Sequence, residues 1–98
     1  MKSAIDRVIQ KYGEPVELTL QGESTLYFSA CVQLPVSDAL VNDFDITGFV
    51  VYMRVQDSPR KPSKFDRMKV RGEIRGIEEV QEERLAGELV VYVVRTRG

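Results

Sequence analysis

The hydrophobic pattern changes period once along the chain. In "SAIDRVIQKYGEP", Ile5, Val8, Ile9 and Tyr12 recur at the three-to-four spacing of one helix face, and Arg7, Gln10 and Lys11 fall opposite. Ser3 is placed to cap the helix, with Asp6 three positions on at the positive end of its dipole. Gly13 supplies a stop and Pro15 forbids resumption. The pattern predicts a short amphipathic helix over residues 3–12, laid on an apolar surface.

From Val16 the period is two. Val16, Leu18 and Leu20 alternate with Glu17 and Thr19, and "QGES" is a turn. In "TLYFSACVQL", Leu26, Phe28, Ala30, Val32 and Leu34 share one face against Tyr27, Ser29, Cys31 and Gln33, until Pro35 ends the strand. The acidic stretch "VSDALVNDFDITG" holds turn formers and one candidate helical turn at Ser37–Val41. Phe49, Val51, Met53 and Val55 then mark another strand. The loop Gln56–Lys64 follows, with Pro59 and Pro62 excluding helix and central strand and no evident apolar anchor.

"FDRMKVRGEIRGIEEV" predicts a hairpin. Met68 and Val70 point inward on its first arm, Arg71-Gly72-Glu73 turns, and Ile74, Ile77 and Val80 point inward on the second. The three-residue step from Ile74 to Ile77, with Gly76 between, predicts a bulge or bend. A second turn around "EERLAG" leads to "ELVVYVVRTR". There Leu89, Val91 and Val93 lie on one face and Val90, Tyr92 and Val94 on the other, so this strand is expected to be central or covered on both sides. The expected fold is α+β, mainly β: a short N-terminal helix and a small antiparallel β-barrel of about six strands. Closure removes the edges that so few strands would otherwise expose. Residues 1–98 read as a single domain, with the barrel over 16–97 and a flexible loop over 56–64.

Composition narrows the function classes. The 98 residues are 43% apolar and 30% charged, which is globular, but with four Phe, four Tyr and no Trp the core must be thin. Self-assembly is a common source of stability at this size. The single cysteine, Cys31, forbids an intrachain disulfide and points to a reducing compartment. The charged N-terminus lacks the apolar run of a signal peptide, and "ITGFVVYM" is too short to cross a bilayer, so the expectation is a soluble, intracellular protein without a membrane partner.

The chain has no His, which removes the commonest general base and metal ligand. Cys31 without His reads as packing in a core or interface. Glu78, Glu79, Glu82 and Glu83 read as a solvated rim, and Asp38, Asp43 and Asp45 do not match the spacing of an EF-hand loop. The seven Gly are dispersed rather than gathered into a phosphate-binding motif. No catalytic, metal or cofactor residue is assigned, and the chain does not read as an enzyme.

Charge supplies the remaining signal. Residues 1–56 carry four Lys/Arg against seven Asp/Glu, and residues 57–98 carry ten against eight. Arg60, Lys61, Lys64, Arg67, Lys69 and Arg71, less Asp66, give net +5 in twelve residues. On a strand, Arg67, Lys69 and Arg71 share one face opposite Met68 and Val70. Three readings stand: a solvated face, contact with a phosphate backbone, or contact with an acidic protein surface. Phe65 is the sole aromatic nearby, which is little for single-strand stacking.

The order of parts carries a resemblance. A helix closed by "KYGEPVELT", a strand pair, a loop, the hairpin with Asp66-Arg67, Gly72, Ile77 and Val80, and the final strand through Tyr92 resemble the small head-closure or head–tail joining proteins of tailed bacteriophages and prophages. The resemblance runs over most of the chain except Pro35–Thr47. It implies a structural neck protein that assembles as a homo-oligomeric ring between portal and tail, and it allows a monomer in isolation. The portal or adaptor and the tail proteins would be its partners, with passing contact to packaged DNA. Its places would be the host cytoplasm during assembly and the virion neck. Gln56–Lys64 would be an arm ordered between ring neighbours. Asp38, Asp43 and Asp45 on one flank and Arg60, Lys61, Lys64, Arg67, Lys69 and Arg71 on another would be the partner-binding residues, unlike charges meeting head to tail. The alternatives are an oligonucleotide-binding barrel taking single strands, with Tyr27, Tyr52 and Tyr92 as its candidate stacking residues, and a tail-terminator type of ring protein.

Overall fold

A computed structural model describes residues 2–33 and 48–97. They form a helix, α1 (Lys2–Tyr12), and six strands: β1 (Glu14–Thr19), β2 (Thr25–Gln33), β3 (Val50–Arg54), β4 (Arg67–Val70), β5 (Glu73–Leu85) and β6 (Glu88–Thr96). The strands close into an antiparallel barrel in the order β1-β2-β3-β6-β5-β4, with β4 hydrogen-bonded back to β1. This is the helix-plus-barrel architecture that the hydrophobic pattern predicts.

Two three-stranded meanders, β1–β3 and β4–β6, join along β1–β4 and β3–β6. Every neighbour is antiparallel, so the end of β3 and the start of β4 lie at the same rim. They are nevertheless on opposite sides of the barrel. The connection Val55–Asp66 therefore crosses that rim, beginning with a single 3-10 turn at Val55–Asp57.

Alternation along the strands produces the interior. Leu18, Val51, Met53, Met68, Val70, Ile77 and Val94 are wholly buried, with Val16, Leu20, Ala30, Phe49 and Tyr92 beside them. Removing each such aliphatic side chain from water contributes about 1.5–3 kcal/mol. The two-residue turn at Arg71 (φ 53°) and Gly72 (φ 82°) has the paired positive φ of a type I′ hairpin, whose twist suits the flanking strands. Ala86 (φ 54°) and Gly87 (φ 82°) repeat it. The second turn is thus confined to Ala86-Gly87, and "EERL", expected to turn, continues β5 instead.

Three further expectations are corrected. Ile74, expected to point inward, is 64% exposed because its cross-strand partner is outward-facing Lys69. Arg75 takes the inward register opposite Met68, and its guanidinium lies 5.2 Å from the Phe49 ring centroid. The bulge is real but falls between Ile77 and Glu79, just after Gly76; it lets Ile77 and Val80, three apart, both turn toward the core. Ser3 lies inside α1 rather than capping it, and Asp6 instead pairs with Arg54 of β3 at 3.2 Å.

The helix docks less completely than its pattern suggests. Ile9 is buried, but Val8 is 50% and Tyr12 67% exposed. The candidate turn at Ser37–Val41 lies outside the described residues.

Met68 touches the barrel interior from the strand that closes the circle. Met68→Ala is expected to destabilise the protein by about 2–5 kcal/mol through lost burial and a residual cavity. Urea unfolding followed by circular dichroism measures this; a loss under 1 kcal/mol would mean that β4 does not pack as described.

Candidate docking surfaces

The basic stretch begins in the segment that crosses the barrel rim, and its charges are largely neutralised locally. Asp66 is 1% exposed, and its carboxylate accepts two hydrogen bonds from the Arg60 guanidinium, both at 2.9 Å. It also accepts the backbone N–H of Gln21 at 2.8 Å and that of Ser63 at 2.7 Å. Burial pushes the Asp66 carboxyl up, but Arg60 and the two N–H donors outweigh it and hold the group below the usual aspartate range.

The remaining cations follow suit. Arg71 makes a bidentate pair with Glu14 at 2.8 and 2.9 Å. Lys69 lies 3.9 Å from Glu17, and Lys61 lies 3.8 Å from Glu82. These exposed pairs contribute little stability, yet they remove charge from the surface. Among the described residues, Lys64 and Arg67 make no ion pair. They flank Phe65, which is 63% exposed with the Lys64 ammonium 5.4 Å from its ring centroid. The stretch thus resolves into four structural cations and one protruding aromatic knob between two free ones. Arg67, Lys69 and Arg71 do point outward, opposite buried Met68 and Val70, as their alternation requires.

The Gln56–Lys64 loop also differs from its expected character. It has an apolar anchor, since Pro62 is wholly buried. Its start is clamped by a bidentate Arg54–Asp57 pair at 2.9 and 3.2 Å, and the buried Ser58 hydroxyl donates to the Arg60 carbonyl at 2.6 Å. The expectation that the loop lacks an apolar anchor is therefore corrected. Asp38, Asp43 and Asp45, the proposed acidic flank, lie outside the described residues.

Sequence reasoning missed an apolar groove on the outside of the barrel. Ile5, Val8 and Tyr12 of α1 face Cys31, Val32, Gln33, Tyr52 and Val91 across an open groove of about 560 Å³. Its floor is formed by the outward side chains Cys31, Gln33, Tyr52 and Val91, together with Val32, which is in register with inward Val51 and packs against the core. The signal was present in the apolar outward row of β6, but that row was expected to be covered. Here α1 packs chiefly along β2, the Asp6–Arg54 pair ties it to β3, and among the described residues the floor is left partly open. Burial first, and the Glu14 charge second, push the Cys31 thiol up, so it rests protonated and is a poor nucleophile at neutral pH.

Among the described residues, no group of three or more His, Cys, Asp or Glu is placed to hold a metal ion. No described helix is long and apolar enough to cross a membrane. No family model, curated protein or solved structure matches the chain.

Asp66→Ala removes the acceptor for two backbone donors and is expected to cost about 3 kcal/mol. Because the folded Asp66 pKa is depressed, its contribution is present above the ordinary aspartate pKa of about 3.9 and is lost as pH falls through the folded value. Acid titration of stability should therefore be flatter in the variant below about pH 4. Hydrogen exchange should show the Ser63 and Gln21 amides protected in the native protein and released in Asp66→Ala; equal exchange in both would remove Asp66 from this role.

Proposed function

We propose that this chain is a structural component of a tailed phage or prophage particle, a head-closure or head–tail joining protein working as a ring between portal and tail. The observation that carries the reading is a closed barrel with an apolar groove that the described residues leave open on its outside, beside the N-terminal helix. Apolar surface of this kind on a small domain is suited to covering by another chain. The order of helix, strand pair, crossing loop, Asp66-Arg67 hairpin and final Tyr92 strand supports the same reading through its resemblance to the neck proteins.

The neutralised basic stretch favours protein partners over nucleic acid. Four of the six cations are engaged with carboxylates of this chain. Two cations and one aromatic remain, where a single-strand groove uses a charged track with several stacking rings. Of the three tyrosines considered for stacking, Tyr92 is buried in the core and Tyr52 floors the groove, while Tyr27 is strongly exposed beside Lys69 but stands alone on that face as a stacking ring.

The test is to mix the purified chain with portal rings of tailed phages and follow co-sedimentation and ring-shaped density by electron microscopy. A discrete ring on the portal's tail-side face is expected. Absence of binding to portal and tail proteins, together with tight and strongly salt-dependent capture of short single strands, would replace this reading by the oligonucleotide-binding one.

A further inference from the structure

The groove and the Phe65 knob lie on opposite sides of one barrel. The groove floor includes β3, whereas Phe65 immediately precedes β4, which is three strands away from β3 in either direction around the circle. Their chemistry is complementary. The knob presents an aromatic ring between the unpaired cations Lys64 and Arg67. Beside the apolar groove, Glu83 of β5 pairs in register with Val91 and so shares its outward face, with no ion pair to another described residue.

We infer that Phe65 of one copy docks into the α1–β3–β6 groove of the next. The ring lies against Ile5, Tyr12, Tyr52 and Val91, and Lys64 and Arg67 meet Glu83. The occupant is a second copy because this chain itself carries both halves of the match. Tyr27 and Ile74, the other strongly exposed apolar side chains of the barrel wall, lack this pair of unneutralised cations: their neighbours Lys69 and Arg71 are bound to Glu17 and Glu14. A knob and a groove on opposite sides make a heterologous, head-to-tail contact. Such a contact leaves one knob and one groove unsatisfied at the ends of any open oligomer, so it closes into a ring or continues as a filament.

The rim crossing prepares the knob. Pro62 is buried and Asp66 is held by Arg60, Gln21 and Ser63, so Phe65 is presented by a segment fixed on both sides. Little ordering remains to oppose docking. This inference deepens the neck-protein reading by naming the surfaces through which copies meet, but it concerns self-association alone.

Cys31 lines the groove and is the sole native cysteine, which makes the contact testable by cross-linking. The full-length Lys64→Cys chain, which keeps Phe65 and Arg67, should give a ladder of covalent multimers when treated with a short bismaleimide at mildly alkaline pH. Mass spectrometry should find residue 64 linked to residue 31. Adding Cys31→Ser should collapse the ladder. In parallel, sedimentation of the uncross-linked protein should show self-association weakened at least tenfold by Phe65→Ser. It should also be weakened by Glu83→Lys, and restored when Glu83→Lys is mixed with the Lys64→Glu, Arg67→Glu chain. Linkage only between like positions, or a monomer unaffected by these changes at every concentration, would overturn the inference. Rings that form on a portal without a 31–64 link would overturn it and leave the neck-protein reading intact. A 31–64 ladder without portal binding would do the reverse.

Discussion

A barrel built from two meanders obliges the chain to cross one end, and the buried carboxylate of Asp66 holds that crossing in place. Its oxygens gather the β1–β2 loop through Gln21, the crossing segment through Ser63, and a guanidinium through Arg60. Each donor is at the rim where β3 ends and β4 begins. Without this acceptor, two backbone donors beside the core would lose their partner, and β4 would lose the fixed entry from which it pairs with β1. Barrel closure and the placement of Phe65 both depend on that geometry.

The same network changes the meaning of the basic stretch. Twelve residues with net +5 look like a binding patch in one dimension. In three dimensions Arg60 serves Asp66, Arg71 serves Glu14, and Lys61 and Lys69 lie beside glutamates of other strands. Local charge is thus mostly engaged within the chain, and the cations without an ion pair among the described residues in this stretch are the two that flank Phe65.

The helix plays the complementary part. Its apolar stripe is wider than the strip of β2 it covers, so Ile9 is buried while Val8 and Tyr12 remain in contact with solvent. The Asp6–Arg54 pair pins its first half to β3 without closing the space over Tyr52 and Val91. The helix therefore acts as the wall of a groove rather than as a lid on the barrel.

Much of this architecture was legible in the sequence because burial imposes a period. The helix over residues 3–12, the inward rows Val16-Leu18-Leu20 and Phe49-Val51-Met53, and the Arg71-Gly72 turn follow from spacing and turn chemistry, which are local properties. Barrel closure followed from counting strands that needed their edges covered. The inward register of Arg75, the exposure of Ile74 and the continuation of β5 through "EERL" did not follow, because cross-strand register set by distant partners decides them. Nor did the anchoring of the rim crossing: Pro62 and Asp66 find their surroundings only when β1, β2 and β4 converge. Local periodicity determined which residues form strands and which side faces the core. Tertiary structure alone decided which cations are neutralised and which apolar surface the described residues leave open, since both depend on contacts between segments far apart in the chain.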